Sequence, residues 1–289
     1  MTNELKDKFI NYLKYELNYS DYTIKEYLMH INKYFVFLKK ENIDFKNIDK
    51  PKIIEFLKYL DNQKLSNATI ANILSSLRTF YNYLLDEKII SNNVFRLIKN
   101  PKLEKKLPNF LSQEQMRMIL DSIKLETELD YRNKLIIELL YASGIRVSEL
   151  VNIQIKDINK IEKSIRIMGK GKKERIVYYG SYAERAMDEY LNKRTKNSEY
   201  LIINNLGNNI TTRGVEKIVD KVVKECLINN KVSPHTFRHT FATHLLNNGA
   251  DIKSVQELLG HSSLNTTEKY THITSDFLKS EYLKSMPRK

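Results

Sequence analysis

Apolar residues in the first hundred positions recur at steps of three and four. In SDYTIKEYLMHINKYFVFLKK, Ile24, Tyr27, Leu28, Ile31, Tyr34, Phe35 and Leu38 form one stripe, with Ser20 ahead of it as a capping residue. The period returns after Asp49, with Pro51 in the first turn, and after Ser66, through Ile70, Ile73, Leu74, Leu77, Phe80, Tyr81 and Leu84. Together with Leu5 to Leu17, the pattern predicts about four helices. It stops at NPKLEKKLPN, residues 100–109, where two prolines, four charges and no sustained period predict a linker. The net +2 of this segment suits contact with a phosphate backbone, and the composition equally suits a solvated hinge.

Beyond it, Ser112 and Gln115 have the spacing of a capping box, and a second helix is predicted from about Tyr131 to Gly144, a helix-ending glycine. The period then changes. KSIRIMGKGKKERIVYY alternates Ile165 and Ile167 before a Gly-Lys-Gly-Lys turn and resumes at Ile176, which predicts a β-hairpin inside a helical domain. Tyr200 to Ile203 is another short strand candidate, and helical patterns return from Thr212, punctuated by Pro234, Gly249 and Gly260. Phe277, Leu278, Tyr282 and Leu283 give the tail an apolar face, suited to docking on its own domain or on a neighbouring copy. The expected architecture is mainly α in two domains: a helical domain over 1–99, the linker 100–109, and an α-rich domain with a small antiparallel β-sheet over 110–289, ending in a tail at 274–289.

The 289 residues suit two domains. Forty-eight Lys and Arg against 35 Asp and Glu give a net charge of +13, which raises the question of a polyanionic partner. An AT-rich genome, suggested by the abundance of Lys, Asn, Ile and Tyr, also produces such a balance. The distribution favours a partner: 16 basic and 12 acidic side chains fall in residues 1–100, and 32 and 23 in the remainder, so both domains are basic. One cysteine, Cys226, excludes an internal disulfide and an all-cysteine metal site. The N-terminus MTNELKDKF has no apolar signal region, and no run is long enough to span a membrane, so a cytoplasmic protein is expected.

Residues 235–245, HTFRHTFATHL, gather three of the six histidines and an arginine. His235 and His239 have the spacing of a zinc-protease helix, but Thr236 stands where that motif needs a glutamate, and Arg238 would oppose a cation. Packing of the histidines in a tyrosine-rich core is a second reading. The third is an anion site: Ser233 and Pro234 start the helix, so His235 and Arg238 lie in its first turns, where the helix dipole already favours negative charge.

Three further segments offer chemistry. In YASGIRVSEL, Arg146 follows the stop at Gly144 and precedes Ser148, a plausible cap of the next helix. In MGKGKKER, Gly169 and Gly171 permit close backbone approach around Lys170, without Walker spacing. In LLGHSSLNTTEKYTH, His261 follows Gly260 and Tyr270 lies further on.

This ordered set, an arginine in SGIRVSEL, a lysine in a GKGKKER hairpin, H-x-x-R-H, then LLGHSSLNTT followed by YTH, resembles the tyrosine recombinases (phage integrase family), and among them the Xer-type site-specific recombinases. The resemblance covers nearly the whole chain. It implies a SAM-like four-helix DNA-binding domain before a catalytic domain of the DNA breaking-rejoining fold. Phe237 replaces the usual leucine of H-x-L-R-H, and Tyr178 and Tyr179 replace the usual proline and leucine after the hairpin.

By resemblance, Tyr270 is the nucleophile, and Arg146, Lys170, His235, Arg238 and His261 surround the target phosphate. Physical chemistry is consistent with each role. Non-bridging phosphate oxygens gain charge as the fifth bond forms, and two guanidiniums stabilise that charge without titrating. The phenol needs a proton acceptor, for which His235 is the candidate; the leaving 5′-oxygen needs an acid, for which Lys170 is the candidate, its pKa lowered by Lys172, Lys173 and Arg175. His261 would donate a hydrogen bond. A covalent 3′-phosphotyrosine conserves the broken link, so no cofactor and no metal are expected.

The implied partners are double-stranded DNA, held largely through its phosphates, and a homo- or hetero-tetramer of recombinase on two sites, with a DNA translocase or accessory protein as a further possibility. The implied tasks are chromosome or plasmid dimer resolution or, alternatively, mobile-element integration. A type IB-like topoisomerase and a non-catalytic DNA-binding protein are the rival classes.

Overall fold

The computed structural model describes residues 2–102, 109–169, 174–228, 230–260 and 275–288. The chain divides into two compact units, Met1–Lys106 and Leu107–Lys289. Most of the expected linker, residues 103–108, lies outside the described residues.

The first unit is built from α1 (Asn3–Asn11), α2 (Asp21–Lys40), α3 (Lys50–Asn62) and α4 (Asn67–Asp86). A short polar residue caps each. Thr2, Ser20, Asp49 and Ser66 accept from the backbone N–H three residues on, at 3.0–3.3 Å, satisfying donors that the helix leaves open. The predicted helix Leu5–Leu17 does not continue as one α-helix: a π-helical turn spans Tyr12–Glu16, and Asn18 adopts φ +51°. Stripe residues Ile24, Ile31, Tyr34 and Leu38 are buried with Phe9, Phe56 and Phe80. Two phenols inside this core satisfy each other, since Tyr34 and Tyr81 hydroxyls are 2.7 Å apart and Tyr81 donates to the Phe45 carbonyl at 2.8 Å.

The second unit contains α5 (Gln113–Ser122), α6 (Glu128–Ser143), α7 (Val147–Leu150), β1 (Ile158–Asn159), β2 (Ser164–Met168), β3 (Glu174–Tyr178), α8 (Ser181–Lys193), α9 (Thr212–Glu225), α10 (Pro234–Asn247), α11 (Ile252–Leu259) and α12 (Ser275–Ser285). Ser112 and Gln115 form the expected reciprocal box, at 3.1 and 2.9 Å. Helix α6 starts three residues before the predicted Tyr131, because Thr127 and Asp130 form a second box. Every residue of α6 from Leu135 to Ser143 is buried, so it is the central rod of the unit. It ends at Gly144, φ +56°, and the Phe241 ring fills the space a Cβ would take there.

The hairpin forms as β2 and β3, antiparallel, and β1 adds a third strand that the sequence pattern did not predict. In the register Ile165 faces Val177 and Ile167 faces Arg175, so Val177, not Ile176, continues the buried apolar face. Tyr200 to Ile203 is not a strand. It makes only the isolated bridges Gln154–Tyr200 and Ile203–Asn209, and Arg194 takes the Tyr200 carbonyl at 2.8 Å.

Helix α12 packs on α10 and α11 of its own unit, with Tyr282 and Met286 buried. The tail's apolar face therefore docks in cis in this structure. Its inward residues are Tyr282 and the partly buried Leu278, while Phe277 and Leu283 remain 48% and 41% exposed. Just beyond α12, Arg288 forms a two-pronged pair with the buried Glu138 of α6 at 2.8–3.2 Å and stacks on the Tyr182 ring. Among the described residues no helix is long and apolar enough to cross a membrane.

Candidate active site

The first turn of α10 is set by Ser233 as cap and Pro234 as first residue; Thr236 accepts from the Ser233 amide at 3.1 Å. His235 and Arg238, three apart, then lie on neighbouring positions of one face. His235 is exposed, while Arg238 is buried. The Arg238 guanidinium donates to the Gly144 carbonyl and to the Leu259 carbonyl, both at 2.6 Å. These are the carbonyl ends of α6 and α11, where helix dipoles concentrate negative potential and favour a cation. Burial, with Arg146 and Arg175 nearby, lowers the Arg238 pKa to about 10, so it stays charged at neutral pH.

Arg146 occupies the corner between α6 and α7. It is itself the N-cap of α7; Ser148, expected to cap, lies inside the helix. Glu149, one turn on, accepts from the Arg146 backbone N–H and from its guanidinium, both at 2.9 Å. The other arm of Arg146 donates to the Gly260 carbonyl at 3.3 Å. The two arginines of the expected phosphate site thus donate to consecutive carbonyls, Leu259 and Gly260, at the end of α11.

Glu149 is buried and serves a third guanidinium. From β3, Arg175 donates to both its carboxylate oxygens, at 2.6 and 2.8 Å. Burial by itself raises the Glu149 pKa, but the bonds from Arg175 and Arg146 outweigh it and hold the carboxyl below its usual value. The Arg175 stem runs against Gly260, φ +64°, where a Cβ would meet Arg175 Cδ at 2.7 Å. Arg146 and Arg175 share the one carboxylate and Arg238 is held by carbonyls alone, so the three guanidiniums and Glu149 carry a net positive charge beside the end of α11, an arrangement suited to an anion.

Of the six residues expected at the site, Arg146 and Arg238 meet here, and His235 sits on the same helix as Arg238. Lys170, His261 and Tyr270 lie outside the described residues. Arg175, expected only to lower the pKa of Lys170, has its charge matched by Glu149. Glu149 and Arg175 were missed as site residues; the spacing Arg146-x-x-Glu149, with an acid at the third helical position, was the available signal for the first. His244 belongs to the core, 2.8 Å from the Tyr141 hydroxyl, and Phe237 is fully buried there.

Residues 109–276 match the Phage integrase family and residues 7–88 match the Phage integrase N-terminal SAM-like domain. The chain belongs to the phage integrase family, the tyrosine site-specific recombinases. It is 45% identical to tyrosine recombinase XerC of Anoxybacillus flavithermus, over 97% of this chain and 96% of the relative. With tyrosine recombinase XerC of Staphylococcus aureus it shares 40% identity, over 99% and 97%. Among solved structures, it resembles the XerH site-specific recombinase bound to palindromic difH substrate in a post-cleavage complex. The TM-score there is 0.74 at 28% identity, covering 96% of this chain and 83% of that one. Within its family the chain is of the Xer type.

Proposed function

We propose that the protein cuts and rejoins duplex DNA through a 3′-phosphotyrosine on Tyr270, with Arg146 and Arg238 holding the scissile phosphate. The observation that carries this reading is the convergence of both guanidiniums on the end of α11, directly before the segment that contains His261 and Tyr270. As the phenolate oxygen bonds to phosphorus and the bond to the 5′-oxygen breaks, charge accumulates on the non-bridging oxygens. Fixed cations stabilise that charge without reorganising at the moment of reaction. His235, exposed at the helix start, takes the phenol proton; Lys170 gives one to the leaving 5′-oxygen; His261 donates to a non-bridging oxygen. Attack by the 5′-hydroxyl of another strand reverses the chemistry, and the link energy is kept throughout.

Duplex DNA is the partner, and recombination proceeds in a tetramer on two sites, with a translocase or accessory protein as activator. The cellular task is chromosome or plasmid dimer resolution in the cytoplasm. Its similarity to XerH, a recombinase captured with its difH substrate after cleavage, supports a cleaving role.

The test uses a recombination site nicked near the scissile position, so that the cut fragment escapes. A denaturing gel then shows protein covalently attached to the new 3′ end at the cut, while the short piece bearing the 5′-hydroxyl is released. Tyr270→Phe abolishes this band and leaves the duplex shift intact. An adduct that survives Tyr270→Phe overturns the assignment, and relaxation of plasmid by dilute monomer without synapsis would favour a topoisomerase.

A further inference from the structure

We infer that Arg175 is a positioning residue for the reaction: its guanidinium fixes the Glu149 carboxylate and thereby keeps Arg146 oriented toward the phosphate. The inference rests on the proposed phosphoryl transfer at Tyr270.

The geometry of the shared carboxylate carries it. Glu149 has two oxygens, and Arg175 engages both, in the two-pronged form that fixes the plane of a carboxylate. What remains for Arg146 is a single guanidinium contact to Oε1, plus the contact of its backbone N–H to Oε2. The other Arg146 arm reaches the Gly260 carbonyl. Among the described residues the Arg146 guanidinium is thus held at two points, sharing its carboxylate with Arg175, and these contacts use two of its five N–H donors. Glu149 is buried, so water cannot take over when a partner is lost.

Without Arg175, a buried carboxylate would turn its full charge on the nearest cation, Arg146. A guanidinium paired two-pronged to Glu149 has lost both the direction and the net charge that a phosphate needs. Arg175 is itself locked. It is mostly buried, at 14% side-chain exposure, and its stem lies against Gly260. It also extends from β3, so one side chain ties the hairpin to α7 and to the end of α11. The sequence motif left Arg175 as one more cation in a basic turn; its burial and its partner separate it from that group.

The experiment measures adduct formation on the nicked site under single-turnover conditions, and duplex binding by mobility shift, for the full-length protein. Arg175→Met slows cleavage by about a hundredfold, in the range seen when one preorganised donor is lost, with duplex affinity nearly unchanged. Arg175→Lys preserves charge and stem but not the fork, folds as the parent does, and recovers only part of the rate. Glu149→Gln combined with Arg175→Met is barely slower than the slower single variant, because both act through one carboxylate. Additive losses, a full rate in Arg175→Met, or a full rate in Arg175→Lys together with a lowered melting temperature in Arg175→Met, overturns the inference while leaving the phosphotyrosine reading intact. Absence of any adduct with the parent protein overturns both.

Discussion

Arg238 keeps its charge where little water reaches it, and it does so by placing both arms on helix-end carbonyls. The buried histidines take the opposite course and stay neutral. Burial lowers the pKa of His30, whose Nδ1 lies 2.8 Å from Ser76, and of His244, beside Tyr141. In the unfolded chain a histidine protonates below about pH 6.5, while these two resist it in the folded state. Stability is therefore complete above that value and declines as pH falls toward the lowered folded values. Glu149 has the same sign in a more acid window: its pKa is held below the usual carboxylate value, so its contribution is present above that value and is lost as pH falls through the folded one. Urea unfolding at pH 7.5 and 5.5 should show a lower midpoint at 5.5, and His244→Gln should reduce the difference. At this scale the sequence made legible where Arg238 and His235 stand, in the first turns of α10, because Ser233 and Pro234 mark the helix start. Glu149 and Arg175 were hidden because a carboxylate on a short helix and an arginine in a basic run acquire their meaning only from each other, across two elements.

Elements with one apolar stripe and a short polar cap were readable in advance, as α2 and α4 show. Where burial is all-round the signal fades, so α6 was dated from its interior residues and its start at Thr127 was missed. Isolated bridges at Tyr200 and Ile203 look like a strand in sequence because a buried apolar run has no period. The last helix illustrates tertiary dependence most fully. Its apolar face was evident, but its attachment involves Arg288, beyond the helix, and Glu138, buried on α6. Arg288→Ala should destabilise the second unit by about 2 kcal/mol, less than a full buried-pair loss because Lys134 remains 3.8 Å from Glu138. Chemical denaturation checks this, and Glu138→Gln in the same background should restore part of the loss.

At the scale of the molecule, the two units hold separate cores, one around Tyr34, Phe56 and Phe80, the other around α6, Phe237 and Phe241. Residues 109–289 alone should therefore fold and melt cooperatively, as followed by circular dichroism; an unfolded fragment would show that the second core needs the first. The net charge of +13 was readable from composition, whereas the pairing of Arg146 and Arg175 on one buried carboxylate was not. The clasp on Arg238 has a consequence for how such chains diverge. Its two acceptors are peptide oxygens, which every amino acid supplies, so only the Gly144 end of the clasp, with its left-handed φ and the Phe241 ring against it, is tied to one residue type. Leu259 can be exchanged for any residue that keeps the helix end in place, and the grip survives while the letters change.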